Sequence, residues 1–248
     1  MQVPKRLAVD VRDVVPGLLL LLLACNQSPP AEDLGTKQEA ASPEATDPPE
    51  VPAEPQQGTP LAALQAYRAA ILVDDGETAA SLVTKGTLRS FEDYRNAALT
   101  EKRAVTLKRP LVDGMMVLFL RHLIPTEELA SMDARGLLVY AYDHGMVGKG
   151  NVIKHQLGAV TIEGDLAFIA VEDDAGNPVP LRFELHKEGD AWKVDLAAVM
   201  RQMNPGIGAL LRDFDPDPHE AMLKMLGMST GQQYDRSAWN PPKRANGR

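Results

Sequence analysis

Few residues in this chain are of the types and spacing that do chemistry. The stretch YAYDHGMVGKG, residues 140–150, brings Tyr140, Tyr142, Asp143 and His144 within five positions. An imidazole oriented by a carboxylate is a workable general base, so an acid–base cluster is one reading of them. The other is a helix end, with Asp143 and His144 in solvent and Gly145 turning the chain. The local pattern favours the helix end, so Tyr140, Asp143 and His144 stand as candidates and none is assigned as catalytic.

The remaining candidates have structural readings beside the functional ones. His155 and His186 fall in expected strands. His186 is out of phase with Leu181, Phe183 and Leu185, which directs it to solvent. FDPDPHE offers Asp215, Asp217, His219 and Glu220, ligand types whose spacing fits no calcium loop. Helix capping accounts for them better: Asp217 as cap, Pro218 as first helical residue and Glu220 closing a capping box. EKRAVTLKRP concentrates Lys102, Arg103, Lys108 and Arg109, a solvated face or a site for an acidic partner or phosphate. The methionines from Met115 to Met228 read mainly as core filler, with a flexible binding surface as the alternative. A phosphate-gripping glycine loop, a Cys/His zinc set and a nucleophile elbow are all missing from the sequence. No cofactor and no metal is expected.

The one cysteine, Cys25, follows a basic start (Lys5, Arg6, Arg12) and a run of six leucines that ends at Ala24. The apolar stretch is about half of the roughly 20 residues a spanning helix needs. That is the build of a secretory signal. Leu22-Leu23-Ala24-Cys25 resembles the lipobox of bacterial lipoproteins. The resemblance implies cleavage before Cys25 and acylation of its thiol and amine, and two or three acyl chains make a stable membrane anchor. Ordinary signal cleavage after Ala24 would leave a lone thiol in an oxidising compartment, where it is a liability. Asn26, in place of the aspartate that tends to retain enteric lipoproteins at the inner membrane, points to the outer membrane facing the periplasm.

The formal net charge is −8. Residues 25–59 hold seven acids against Lys37, so the acidity sits mainly there and residues 60–248 carry only −3. Such a balance excludes general binding to nucleic acid. Residues 26–59 are rich in Pro, Glu, Ala and Gln and cannot bury enough surface to offset their ordering entropy. The expected organisation is a signal peptide over 1–24, a disordered tether over 25–59, one domain over 60–227 and a flexible polar tail over 228–248, which Tyr234 and Trp239 could pin.

Within the domain, Thr59-Pro60 opens a helix with Leu64, Tyr67 and Ile71 inward. A short helix over 77–83 follows. Ser90 is read as the cap of the next helix. Val105 and Leu107 alternate like a strand. Residues 111–124 read as a buried helix, and Thr126 caps one running to Tyr140. From residue 154 the period becomes two, with turn residues at Glu-Gly-Asp and Asp-Ala-Gly-Asn-Pro, the signature of an antiparallel meander. Two short helices over 197–203 and 207–211, and one from Asp217, close the chain. Helices followed by a meander make an α+β plan. The helix, Asp-Gly break and small-residue second helix near residues 64–83, with the closing EGDAWKVDL, resemble NTF2-like (cystatin-like cone) domains. That resemblance implies N-terminal helices packed on a curved sheet, often around a pocket. It matches no family catalytic motif. The expected function is therefore binding of a small ligand or an envelope protein by a lipid-anchored domain. The alternatives are a small-molecule hydrolase or isomerase, and a scaffold subunit of an envelope assembly.

Overall fold

The computed structural model describes residues 58–146, 156–173 and 175–243. Cys25 and His155 lie outside them. The protein is α+β: helices before and after a four-stranded antiparallel sheet of order β1-β2-β3-β4. No helix among the described residues is long and apolar enough to cross a membrane.

Helix α1 (Pro60–Leu72) starts as its sequence dictates. The Thr59 hydroxyl accepts the Ala62 N–H at 3.2 Å, and Pro60 fills the first position, where no N–H is needed. Leu64, Tyr67, Ala70 and Ile71 are buried along one face. Asp75 caps α2 (Gly76–Ser81) through the Thr78 N–H. The long α3 (Lys85–Thr100) is capped by Thr84. Ser90 is interior and donates to the Gly86 carbonyl, so the expected cap there is corrected. Residues 103–107 form no strand: Arg103–Thr106 is one turn of helix, α4, with Val105 in solvent. Two alternating residues are too few to set a strand.

Helix α5 (Leu111–Leu123) is the central helix. The segment expected as one helix from Thr126 is two, α6 (Thr126–Ser131) and α7 (Ala134–Asp143). Asp133 separates them by capping the second, accepting the Gly136 N–H at 2.6 Å.

Strands β1 (Gln156–Glu163), β2 (Leu166–Glu172), β3 (Pro178–Glu188) and β4 (Ala191–Val194) form the meander. Gly164 and Gly189 turn it at φ +64° and +65°, where a side chain would be strained. Ala167, Ile169, Leu185 and Val194 face the helices and are buried. The opposite face carries Phe168, Arg182, Glu184 and His186, by the pairing Phe168↔Glu184 and Ala170↔Arg182. β4 pairs β3 only from Leu185 onward. Earlier on that edge, Pro178 and Pro180 have no N–H, and the Gln202 side-chain amide takes both the N–H and the carbonyl of Arg182.

Helix α8 (Leu196–Phe214) runs unbroken where two short helices were expected, although Pro205 lies inside it. Proline cannot donate to the carbonyl four residues back. Asn204 Nδ2 donates to that Arg201 carbonyl instead, at 3.1 Å, while its Oδ1 accepts the Val112 N–H at the start of α5. Helix α9 (Pro218–Thr230) has Asp217 as cap, as expected. The capping box does not close, because Glu220 pairs with Arg236. From residue 228 the described chain is not a loose tail: α9 continues to Thr230, and a 3-10 turn (Arg236–Trp239) sinks Trp239 into the core at 1 % exposure.

Two apolar clusters result. One lies between the sheet and α1–α3 and α5–α7, the other between α5, α8, α9 and Trp239. Arg121, on α5, is buried between them.

Candidate functional site

The expected Tyr140–His144 cluster is not assembled for acid–base work. His144 is at the C-cap of α7 and its ring lies flat on that of Tyr140, centroids 3.7 Å apart. Its Nδ1 donates to the Tyr140 carbonyl at 2.9 Å. Asp143 is exposed, with its Oδ1 turned toward Gly76. Tyr142 points into the core, where its hydroxyl meets that of Tyr67 at 2.9 Å. Burial pushes the Tyr67 phenol up to about 12 and raises that of Tyr142 as well. Neither phenol ionises near neutral pH.

The acidic run Asp215–Glu220 is committed to structure. Asp215 accepts the Asp217 N–H and pairs with Lys224 at 2.8 Å; Asp217 caps α9; Glu220 pairs with Arg236. Of the basic run, Arg109 spans Asp93 and Glu101, at 2.5 and 2.7 Å. These carboxylates hold its guanidinium firmly charged. Lys102 and Lys108 stay in solvent.

The unabsorbed chemistry is on the outer face of β3 and the first turns of α8. His186 Nε2 is 2.8 Å from Glu184 Oε1 and 3.6 Å from Asp195 Oδ2. Three elements place these groups. Alternation puts Glu184 and His186 on one face of β3, and Asp195 follows β4 as the cap of α8. The Asp195 Oδ1 accepts the Ala198 N–H at 3.0 Å and the Thr87 hydroxyl at 3.4 Å. These bonds fix the carboxylate and turn Oδ2 toward His186 and Arg201, the latter at 3.7 Å. Among the described residues, Glu184, His186 and Asp195 are the set able to hold a metal ion, their ligand atoms lying within 4.8 Å of one another.

Beside this cluster lies an open groove of about 660 Å³ between β2, β3 and α8. Its apolar wall is Ala170, Val179, Pro180, Leu181 and Ala198; Arg182, Glu184, Arg201 and Gln202 supply polar groups. Its volume falls within the roughly 300–1,000 Å³ of small-molecule sites. The Arg182 guanidinium sits 4.1 Å above the Phe168 ring, a cation–π contact that orients it without neutralising it.

The alternation along β3 puts His186 on the solvent side, where the structure has it. The same alternation holds Arg182 and Glu184, so that part of the site was legible. Asp195 was not, because its approach depends on where β4 hands over to α8. The chain matches no protein-family model, no curated protein and no solved structure.

Proposed function

We propose that this is a cell-envelope lipoprotein, acylated at Cys25 and held on the periplasmic side of the outer membrane. Its NTF2-like α+β domain binds a small ligand in the β3–α8 groove without turning it over. The groove is the observation that carries the binding reading. An apolar wall flanked by Arg182 and Arg201 suits a ligand with an apolar body and an anionic group, which an arginine fork can grip in two places. The lipobox-like residues and the acidic, proline-rich stretch behind them support the anchor and the tether.

Two experiments test this. Native and then denaturing mass spectrometry of the purified full chain should find a defined co-purifying anionic molecule, diminished in Arg182→Ala; a chain empty from every preparation would refute small-molecule binding. Labelling with a fatty-acid analogue should modify the wild-type protein and not Cys25→Ser, and persistent labelling of that variant would rule out the anchor at Cys25.

One observation favours the scaffold reading as a second possibility. Val160 and Ile162 on the edge strand β1 are exposed at 39 % and 57 %, although they pair with core-facing Ile169 and Ala167. Crosslinking of intact cells would then capture one defined envelope protein through β1.

A further inference from the structure

We propose that Glu184, His186 and Asp195 form a binding site for one divalent transition-metal ion. The donor set is one imidazole nitrogen and two carboxylate oxygens, a combination that suits zinc, cobalt or manganese. The spacing agrees. Donors about 2.1 Å from a common ion, at 90–110° to one another, lie roughly 3.0–3.4 Å apart. The observed separations from His186 Nε2, 2.8 Å to Glu184 and 3.6 Å to Asp195, bracket that range. Small rotations of Glu184 and His186, both partly exposed, reach it.

A second feature separates this cluster from a surface ion pair. The Asp195 side chain is only 10 % exposed, and both its hydrogen bonds are made by Oδ1. Oδ2 accepts none, and faces the imidazole and Arg201 at 3.6 and 3.7 Å. A carboxylate so fixed, with one oxygen held toward a cation position, is the support a ligand needs from the residues behind it. The opposing charge is Arg201, which is 64 % exposed and free to swing away. Lys193 stands across from His186 in the β3–β4 pairing, but its Nζ is drawn off to the Ser81 carbonyl at 2.7 Å. Three protein donors leave coordination positions free. Since Glu184 also lines the groove, a metal here would meet the anionic end of a groove ligand.

The site is tested by metal alone, so its outcome is independent of the anchor and of any organic ligand. The full-length chain, stripped with a chelator, is titrated with Zn2+ by calorimetry and with Co2+ by visible absorption. One equivalent should bind, and His186→Ala and Glu184→Gln should each weaken binding at least tenfold while retaining the wild-type circular dichroism. No Zn2+ or Co2+ binding would overturn the proposal and leave the two carboxylates as partners of the imidazole only. Binding equally tight in both variants would overturn it too, since the ion would then sit elsewhere.

Discussion

Arg121 and the Glu184–His186–Asp195 cluster use charged side chains in opposite ways. Arg121 is 7 % exposed and spends its donors on the carbonyls of Ala97, Ala98, Glu101 and Trp239, at 2.6–2.9 Å. It closes the C-terminal end of α3, capping the Ala98 carbonyl and sharing that of Ala97 with the Glu101 N–H, and ties the 3-10 turn to α5. The adjacent His122 completes the tie through the Ala238 carbonyl at 2.9 Å. Burial pulls the Arg121 guanidinium down to about 10, still charged at neutral pH. Nothing is left over for a ligand. On β3 the charges are half exposed, Oδ2 of Asp195 accepts no hydrogen bond and Arg182 meets only a ring face. Saturated polar groups hold a fold together; groups with capacity to spare are where binding is to be sought.

That contrast can be broken by substitution. The largest effect is expected for Arg121→Leu, which strands the carbonyls of Ala98, Glu101 and Trp239 and should cost about 3–5 kcal/mol. Urea denaturation would show it as a lower midpoint; a loss below 1 kcal/mol would mean the hub is not structural. An intermediate effect is expected at the Tyr67–Tyr142 pair. The folded pKa of Tyr67 is raised to about 12, above its unfolded value, so the folded state keeps its proton longer. The stability it contributes is fully present below about pH 10 and is lost as pH rises from there through 12. Tyr67→Phe should flatten that alkaline decline, read as melting temperature against pH; an unchanged slope would remove the pair as its cause. Glu184→Gln should change stability least, within about 0.5 kcal/mol, because the site is partly exposed and not a packing element. A large loss of stability would move Glu184 into the structural class.

What could be read from the sequence follows the range of the interactions. Thr59-Pro60 and Asp217-Pro218 were legible as helix starts because a cap is decided within three residues. Leu181, Phe183 and Leu185 gave β3 and its core face because alternation is local too. Ser90 misled because its position before Phe91 looked like a cap, while the hydroxyl four residues back of Leu88, on Thr84, starts the helix earlier. The break expected between residues 203 and 207 does not form, because the bond Pro205 cannot make is replaced by the Asn204 side chain, whose other end is held 92 positions away at Val112. The site divides in the same manner. Arg182, Glu184 and His186 share a strand face that the sequence displays. Asp195, the groove and the Arg121 tie arise only once distant elements meet.

The blunted edge of β3 has a consequence for crowding. A sheet grows by borrowing another chain's strand, which needs backbone donors and acceptors on offer along an edge. Pro178 and Pro180 offer no donor over the half of β3 that β4 leaves bare, and the Gln202 clasp takes both backbone groups of Arg182. Molecules packed side by side on a surface would therefore find no template there, and neighbouring copies could slide past the groove without zipping onto it. Recruitment of a strand, whether useful or pathological, is steered to the far side of the sheet, at β1.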